Sequence, residues 1–388
     1  MKEVYVDHSA TTYVKKEVLE EMLPYFSEKF GNASSPYKIG RDSRQAVDDA
    51  RKQIATAINA DAQEIYFTAG GSEADNLIIR GIVYANKSKG NHIITSKIEH
   101  PAVLNTCKAL EKDGFEVTYL NVDGNGFISL EELRGVIRET TILISIMFAN
   151  NEIGTIQDIK EIGKIAKFKG IYFHTDAVQA IGNVLIDVRE LGIDALSLAG
   201  HKFYGPKGIG AAYIKKGIKF MPVITGGHQE NSKRAGTENV PAIVGLGKAI
   251  EIANQNLYEY NKKLQYLRDY TIDRILNEID YVKLNGDRHN RLPGNLNVSI
   301  KGIEGEALLL MLDMKGIYAS SGSACTSGSL DPSHVLLAIG LKHEVAHGSL
   351  RISFGECNTK EDADYIVDSL KEIVIHLRKM SPVDPRSM

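Results

Sequence analysis

The sequence has few cysteines and lacks both a long hydrophobic run and an apolar leader. Its three cysteines form no CxxC pair, which excludes a disulfide framework and a clustered structural zinc site. No stretch approaches the roughly 18 uninterrupted apolar residues that a transmembrane helix needs. The first residues do not resemble a signal peptide. Because this cysteine count is normal for a reducing compartment, we expect a cytoplasmic protein that does not span a membrane.

Neither sign of charge dominates the chain. Lysine and arginine number 46 and the acidic residues 49, a formal net charge of −3. This near balance argues against a polybasic surface for nucleic acid. No His-Glu-x-x-His pattern occurs among the 11 histidines, so the histidines do not predict a metal site. We therefore expect neither nucleic acid nor a metal ion as a partner.

The length and the order of elements predict two domains of the α/β class. Strand-like and helix-like segments alternate over most of the first 215 residues, a pattern typical of a mostly parallel sheet covered by helices. A long helical stretch is expected over about 242–278, followed by short strands and helices of a smaller α+β domain. We expect a large domain over 15–257 and a small domain built from 1–14 and 258–388.

Two residues that carry chemistry follow predicted strands. Lys202 ends the run Gly200-His201-Lys202, and Asp176 follows a buried-looking strand. The carboxyl ends of parallel strands meet at one edge of a sheet, where α/β proteins bind ligands. In pyridoxal phosphate enzymes a lysine binds the cofactor covalently, and an aspartate holds the protonated pyridine nitrogen. Two unrelated surface residues would explain the spacing equally well.

A second candidate site is the glycine pair before a predicted helix. The run Thr68-Ala-Gly-Gly-Ser-Glu-Ala-Asp-Asn76 reads as strand, glycines, serine and helix. Glycines let the backbone approach an anion, and the free N–H groups of a helix start favour phosphate. Ser72 with Asp75 also resembles an ordinary capping box. The two interpretations are compatible, since a phosphate can occupy a capped helix end.

Cys325 has the surroundings expected of a reactive thiol. Small, polar and glycine residues flank it on both sides, which indicates an exposed loop suited to a thiolate nucleophile. An unremarkable loop thiol is the alternative. Cys107 has helical spacing to Val103 and Leu110 and is expected in the core. Cys357 is given no role.

The short motifs of the chain, taken together, carry a family resemblance. In order, they occupy residues 6–12, 30–35, 69–76, 99–101, 150–154, 174–179, 200–202, 234–237, 302–307 and 323–325. In this combination the chain resembles the cysteine desulfurases of the NifS/IscS type, class V of the fold type I pyridoxal phosphate enzymes, over essentially its whole length. The resemblance implies a PLP-transferase-like fold and a homodimer.

The resemblance also implies how pyridoxal 5'-phosphate is held. Lys202 would bind it covalently and Asp176 would contact the pyridine nitrogen. Gln179 and Asn151 would hydrogen-bond the 3-oxygen of the ring. His100 would stack on the ring and take part in proton transfer.

The phosphate group has its own implied partners. Gly71, Ser72 and His201 would hold it, and Thr237 would reach it from the other subunit. Many relatives carry serine two residues before the His-Lys pair, whereas this chain has Ala199. We therefore expect cofactor binding to depend more on the remaining phosphate contacts.

The substrate and product follow from the same resemblance. Arg351, with Asn151, would bind the carboxylate of L-cysteine through the planar guanidinium. Cys325 would take the sulfur as a persulfide, releasing L-alanine, and pass it to an acceptor protein, such as a scaffold for iron–sulfur cluster assembly. A selenocysteine lyase, a class-V aminotransferase and a non-catalytic scaffold in a sulfur-transfer complex remain the alternatives.

Overall fold

The computed structural model describes residues 2–321, 332–382 and 384–387. Within these ranges the strands are, in chain order, β1 (Val4–Tyr5), β2 (Ile65–Thr68), β3 (His92–Ser96), β4 (Glu116–Leu120), β5 (Thr141–Ser145), β6 (Tyr172–Asp176), β7 (Ala195–Ala199), β8 (Gly210–Ile214), β9 (Val282–Leu284), β10 (Asn295–Ile300), β11 (Ile317–Tyr318) and β12 (Ser349–Ser353).

The α-helices in the same ranges alternate with these strands through the first half of the chain. They are α1 (Lys16–Met22), α2 (Pro24–Ser27), α3 (Lys38–Ile58), α4 (Gly71–Ala85), α5 (Pro101–Lys112), α6 (Leu130–Val136), α7 (Ile159–Lys169), α8 (Val240–Gln255), α9 (Leu257–Glu278), α10 (Gly305–Asp313), α11 (His334–Ala338), α12 (His343–His347) and α13 (Lys360–Met380). None of the described helices combines the length and apolar character needed to cross a membrane.

A seven-stranded sheet forms the centre of the larger part. Its strand order is β2-β8-β7-β6-β5-β3-β4. The pairs from β7 to β4 are parallel, and β8 runs antiparallel to both of its neighbours. The prediction of a mostly parallel α/β sheet is confirmed. We did not predict β8, because its glycine and alanine residues lack the periodicity of a half-buried strand.

Helices cover both faces of this sheet. Leu196 and Leu198 of β7 pack in one apolar cluster with residues of α3, α7 and α8. Ala195 of the same strand packs in a second cluster with residues of α4 and α5. Successive strand residues point to opposite faces, so a strand covered on both sides is buried along its whole length, as β7 is.

The long helical stretch expected over about 242–278 is present, with one break. The structure has two helices, α8 and α9, separated at Asn256, whose backbone leaves the helical region (φ −103, ψ 5). The Asn256 side-chain amide donates to the carbonyl oxygen of Ile252, 3.0 Å away. Asparagine competes in this way for backbone hydrogen bonds and so disfavours helix interiors.

The smaller part has its own sheets and core. β10 pairs antiparallel with β12 and β9, and β1 pairs parallel with β11. Apolar residues of α9, α13 and these strands form one cluster that includes Val4 and Val6. The N-terminus thus packs with residues from the far end of the chain. The domain boundary near residue 257 stays a prediction.

Candidate functional site

Adjacent strand ends bring the predicted lysine and aspartate to one edge of the large sheet. β6 ends at Asp176, which stands opposite Ser197 of the parallel strand β7. A 3₁₀ turn, Gly200–Lys202, directly follows β7. Because both strands run in the same direction, Asp176 and Lys202 leave the sheet on the same side.

One cavity gathers nine of the predicted site residues. Its volume is about 320 Å³, within the usual size of a small-molecule site. The predicted residues that line it are Gly71, Ser72, His100, Asn151, Asp176, Gln179, His201, Lys202 and Arg351. The sequence motifs that carry them come from separate parts of the chain, so the fold itself creates this grouping.

The N-terminal segment (residues 7–12) passes through the site and fixes its lysine. Lys202 Nζ donates to the carbonyl oxygens of Ser9 and Ala10, at 2.6 and 2.8 Å. Gln179 Nε2 donates to the same Ser9 oxygen at 2.9 Å. Further along the segment, Thr12 Oγ1 donates to the His201 carbonyl oxygen. These backbone acceptors were not predicted, because backbone carbonyls carry no residue-type signal.

Asp176 is a buried carboxylate with a local hydrogen bond. Its residue is 6% exposed, and Oδ1 accepts from the Val178 N–H at 2.9 Å. Burial raises the pKa of Asp176, and the neighbouring His100 and Lys202 partly offset that rise. A cation placed at this carboxylate would stabilise its charged form.

A second buried carboxyl group, Asp75, also lines the cavity. Burial and the nearby Asp176 raise the pKa of Asp75 well above its usual value. Its Oδ1 lies 3.6 Å from His174 Nε2 and has no hydrogen-bond partner among the described residues. Two carboxyl groups in one buried site do not both ionise readily. Burial therefore favours the protonated form of Asp75.

His174, near Asp75, is a buried histidine whose two ring nitrogens both have serine partners. Its ring nitrogens lie 2.9 Å from Ser145 Oγ and 2.8 Å from Ser197 Oγ. Burial lowers the pKa of His174 to about 3, so the ring is neutral. Sequence reasoning missed Asp75 and His174 as parts of the site. The buried side chain of Asp75 lies on a helix, and His174 lies within a strand, so neither follows a strand end.

The start of α4 provides a close approach for an anion. Gly70 has φ +154, in the region that favours glycine, and no side chain caps this helix end. A Cβ on Gly71 would lie 2.8 Å from Val178 Cγ2. The capping box that Ser72 and Asp75 suggested is wrong, because Ser72 lies inside the first turn rather than before it. The uncapped N–H groups remain available to a phosphate.

His100 is held as a neutral imidazole. It precedes α5, and its Nδ1 accepts from the Ala102 N–H at 3.1 Å. Burial lowers the pKa of His100, although Asp176 opposes that change. With Nδ1 accepting, the ring proton resides on Nε2, which is the atom available for proton transfer.

Arg351 lies in β12 and is 2% exposed. Its guanidinium donates to the Asn151 carbonyl oxygen at 3.1 Å and to Asp7 Oδ1 at 2.8 Å. Its Nε–H has no hydrogen-bond partner within the described part of the chain. Arg351 therefore brings a buried positive charge to the cavity.

The remaining two predicted site residues are Thr237 and Cys325. Thr237 is exposed on the chain surface, so its predicted contact to the phosphate of another subunit stays a prediction. Cys325 lies outside the described residues. Ser320, before the undescribed stretch, exchanges backbone hydrogen bonds of 2.7 and 3.2 Å with Arg351. Ser333, after it, donates to Glu152 Oε2 at 2.5 Å.

The other two cysteines are in different environments. Cys107 is fully buried, as predicted, and burial raises the pKa of its thiol to about 12. Cys357 is exposed, with Sγ 3.1 Å from the Tyr13 hydroxyl. A thiol with so high a pKa is protonated and unreactive, so Cys107 is structural.

The cavity fits pyridoxal phosphate. Lys202 supplies an amine for covalent attachment, and the buried Asp176 carboxylate suits a cationic ring nitrogen. The phosphate fits the glycine approach at Gly71 and the uncapped start of α4, beside Ser72 and His201. Each chemical part of the cofactor therefore has a matching feature in one cavity.

The chain is similar to known proteins along nearly its full length. The family model described as Aminotransferase class-V matches residues 4–366. A protein named cysteine desulfurase IscS from Clostridium botulinum (strain Hall) is 61% identical over 384 residues, which cover 98% of this chain and 97% of that protein. A protein of the same name from Methanosarcina thermophila is 60% identical over 385 residues, covering 99% and 95%.

Solved structures agree with the sequence comparisons. A NifS-like protein superposes with a TM-score of 0.91 at 39% identity, covering 97% of this chain and all of that one. A structure described as SspA in complex with cysteine has a TM-score of 0.81 at 40% identity, covering 91% and 99%. The fold is therefore shared with these proteins over nearly the whole chain.

Proposed function

The chain belongs to the class-V aminotransferase family, and from this membership we propose that it is a cysteine desulfurase dependent on pyridoxal 5'-phosphate. The observation that carries the proposal is the single cavity in which nine predicted site residues meet. Relatives at 60 and 61% identity bear the name cysteine desulfurase. The substrate is L-cysteine, and the products are L-alanine and enzyme-bound sulfur.

The cofactor site divides the work among three residues. Bound pyridoxal phosphate supplies an electron sink for the substrate carbon skeleton. Lys202 holds the cofactor covalently, and Asp176 keeps a proton on its pyridine nitrogen. His100 Nε2 is positioned to move a proton within the cavity. The pKa of the buried Asp75 is raised well above its usual value, partly by the charge of Asp176.

Arg351 and Cys325 act on the substrate. The Arg351 guanidinium binds the carboxylate of L-cysteine. The Cys325 thiolate attacks the substrate sulfur, so that a sulfur–sulfur bond forms while the Cβ–Sγ bond breaks. The carbon retains that electron pair and gains a proton, which gives alanine, and Cys325 becomes a persulfide. Ser320 supports this role, because it lies five positions before Cys325 in the sequence and exchanges backbone hydrogen bonds with Arg351.

Assembly and partners are part of the proposal. We place a homodimer around two such cavities, with Thr237 of each chain contacting the phosphate in the other. The exposure of Thr237 in the single chain supports this arrangement. The persulfide passes to an acceptor protein, such as a scaffold for iron–sulfur clusters. The low cysteine count supports a cytoplasmic location.

The test is the reaction itself, with matched cysteine variants. The purified enzyme loaded with pyridoxal phosphate is incubated with L-cysteine and a thiol reductant, and alanine and sulfide are measured. We expect equal amounts of both from the wild type and from Cys357→Ala, and neither from Cys325→Ala. All three proteins should retain the absorption spectrum of the bound cofactor.

Two results would contradict the proposal. Alanine and sulfide formed at the wild-type rate by Cys325→Ala would remove the thiol from the mechanism. A keto acid formed with an amino-group acceptor, without sulfide, would instead identify an aminotransferase, which needs no loop thiol.

A further inference from the structure

The arginine assigned to the substrate carboxylate already has a carboxylate partner in this chain. Arg351 NH2 lies 2.8 Å from Asp7 Oδ1. The side chains are 2% and 19% exposed, so water screens the pair only weakly. Charge-assisted hydrogen bonds of this length are among the strongest in proteins.

The backbone holds both partners in place. Asp7 forms a parallel bridge with Ser353, two residues along β12 from Arg351. The Asp7 carbonyl oxygen accepts from the Ala10 N–H at 2.9 Å and from the Tyr5 hydroxyl at 3.0 Å. The contact is therefore set by the fold of the N-terminal segment, not by a flexible side chain that happens to lie nearby.

The guanidinium still has donor capacity. An arginine has five N–H donors. Arg351 Nη2 donates to Asp7 and Nη1 donates to the Asn151 carbonyl oxygen. Its Nε–H is buried with no partner among the described residues. A carboxylate ligand can thus reach Arg351, but it then lies close to the negative charge of Asp7.

We infer that Asp7 is a specificity-determining residue, which orients Arg351 and weakens its hold on the carboxylate of the ligand. This inference rests on the proposed function. Asp7 aligns the guanidinium before the ligand arrives, which favours binding, while its charge offsets that of Arg351. The result is selective but loose carboxylate binding, which suits an enzyme that must release an amino acid product.

The inference predicts opposite effects on two kinds of ligand. Asp7→Asn keeps an oxygen that can accept from Arg351 NH2 and removes the charge. Binding of L-alanine, which has a carboxylate, should tighten about tenfold, since a nearby like charge inside a protein has an effect of at least this size. Binding of ethylamine, which is L-alanine without its carboxylate, should not change.

The experiment is calorimetric titration of the loaded enzyme with each ligand. The control is Asp368→Asn, the same chemical change at another arginine. Asp368 accepts from Arg274 at 2.7 Å, and Arg274 keeps Glu278 and Asp364 as partners. Both dissociation constants should equal those of the wild type in this control. If Asp7→Asn does not retain the cofactor, Asp7→Ser, also uncharged, replaces it.

Two outcomes overturn the inference. The first is an L-alanine dissociation constant that stays constant or rises in the Asp7 variant. The second is an equal change for both ligands, which indicates a structural effect on the whole site. The proposed function fails separately, if the wild type forms no alanine from L-cysteine, whatever the two titrations show.

Discussion

Replacing Arg51 with methionine should destabilise the large domain and loosen a surface loop near the cofactor site. Arg51 in α3 donates to both carboxylate oxygens of Glu230, each at 2.7 Å. The side chains are 12% and 3% exposed. Glu230 Oε2 also accepts from the Phe67 N–H at 2.8 Å, so the pair ties the loop to strand β2.

The loop that this pair anchors is strained. Glu230, Asn231 and Ser232 have φ values of +48, +53 and +62, a left-handed conformation that residues other than glycine rarely adopt. Beyond them, Arg234 pairs with Glu73 at 2.7 Å, in the first turn of α4. A displaced loop would therefore disturb the helix start to which we assign the phosphate.

The magnitude follows from burial. Arg51→Met leaves the Glu230 carboxylate buried without its cation, which costs about 3–5 kcal/mol. If the free energy of unfolding falls by about 3 kcal/mol for each molar increase in urea, the urea concentration at the unfolding midpoint should fall by about 1–1.7 M. The cofactor should also dissociate more readily, because Arg234 loses part of its support.

Urea unfolding followed by circular dichroism measures this effect. The control is Arg189→Met, which removes an exposed pair with Asp61 and should cost about 1 kcal/mol or less. Combining Arg51→Met with Glu230→Gln should recover much of the loss, since no buried charge remains. A midpoint for Arg51→Met equal to that of the Arg189 control would refute the reasoning.

Three further predictions concern the site itself. Burial raises the pKa of Glu99 to about 8. Between pH 4.5 and pH 8 the folded protein therefore keeps Glu99 protonated, whereas the unfolded protein releases that proton. The stability that Glu99 contributes is lost as the pH rises through this range. Glu99→Gln should therefore gain stability relative to the wild type across that window in urea unfolding; parallel pH profiles would contradict this. Gly71→Ala, whose Cβ would lie 2.8 Å from Val178 Cγ2, should weaken cofactor binding about tenfold by overpacking, measured by fluorescence titration of the apoenzyme; an unchanged affinity would remove Gly71 from the phosphate site. Ala199→Ser should strengthen cofactor binding about fivefold by one added hydrogen bond. An unchanged dissociation constant would show that alanine at this position does not weaken the affinity for the cofactor.

The residues that sequence reasoning placed correctly follow strand ends or lie in tight glycine turns. Asp176 and Lys202 were predicted at one sheet edge, because parallel strands must end on the same side. Gly71 begins a helix, as the glycine pair before a helical pattern predicted, and its contact with an anion stays a prediction. The family resemblance added Arg351, His100 and Gln179, which local patterns alone did not reveal.

The features that the sequence did not reveal depend on contacts between distant segments. The Asp7–Arg351 pair joins residues 344 positions apart, and no local pattern specifies such a pair. The sequence pattern indicates a helix-capping role for Asp75, whereas in the structure Asp75 is buried and lines the same cavity as Asp176. Asn256 interrupts an otherwise continuous helical pattern, because the hydrogen bond from its side-chain amide to the backbone outweighs its weak helix propensity.

The most direct test of the central claim is chemical trapping at Lys202. Borohydride reduces the bond between a lysine Nζ and the aldehyde carbon of pyridoxal phosphate to a stable secondary amine, which peptide mass spectrometry locates. We expect the reduced cofactor on the peptide that contains Lys202, and its absence when the loaded enzyme is the Lys202→Ala variant. An adduct confined to other lysines, or no adduct in an enzyme that still converts L-cysteine to alanine, would contradict the assignment of this cavity.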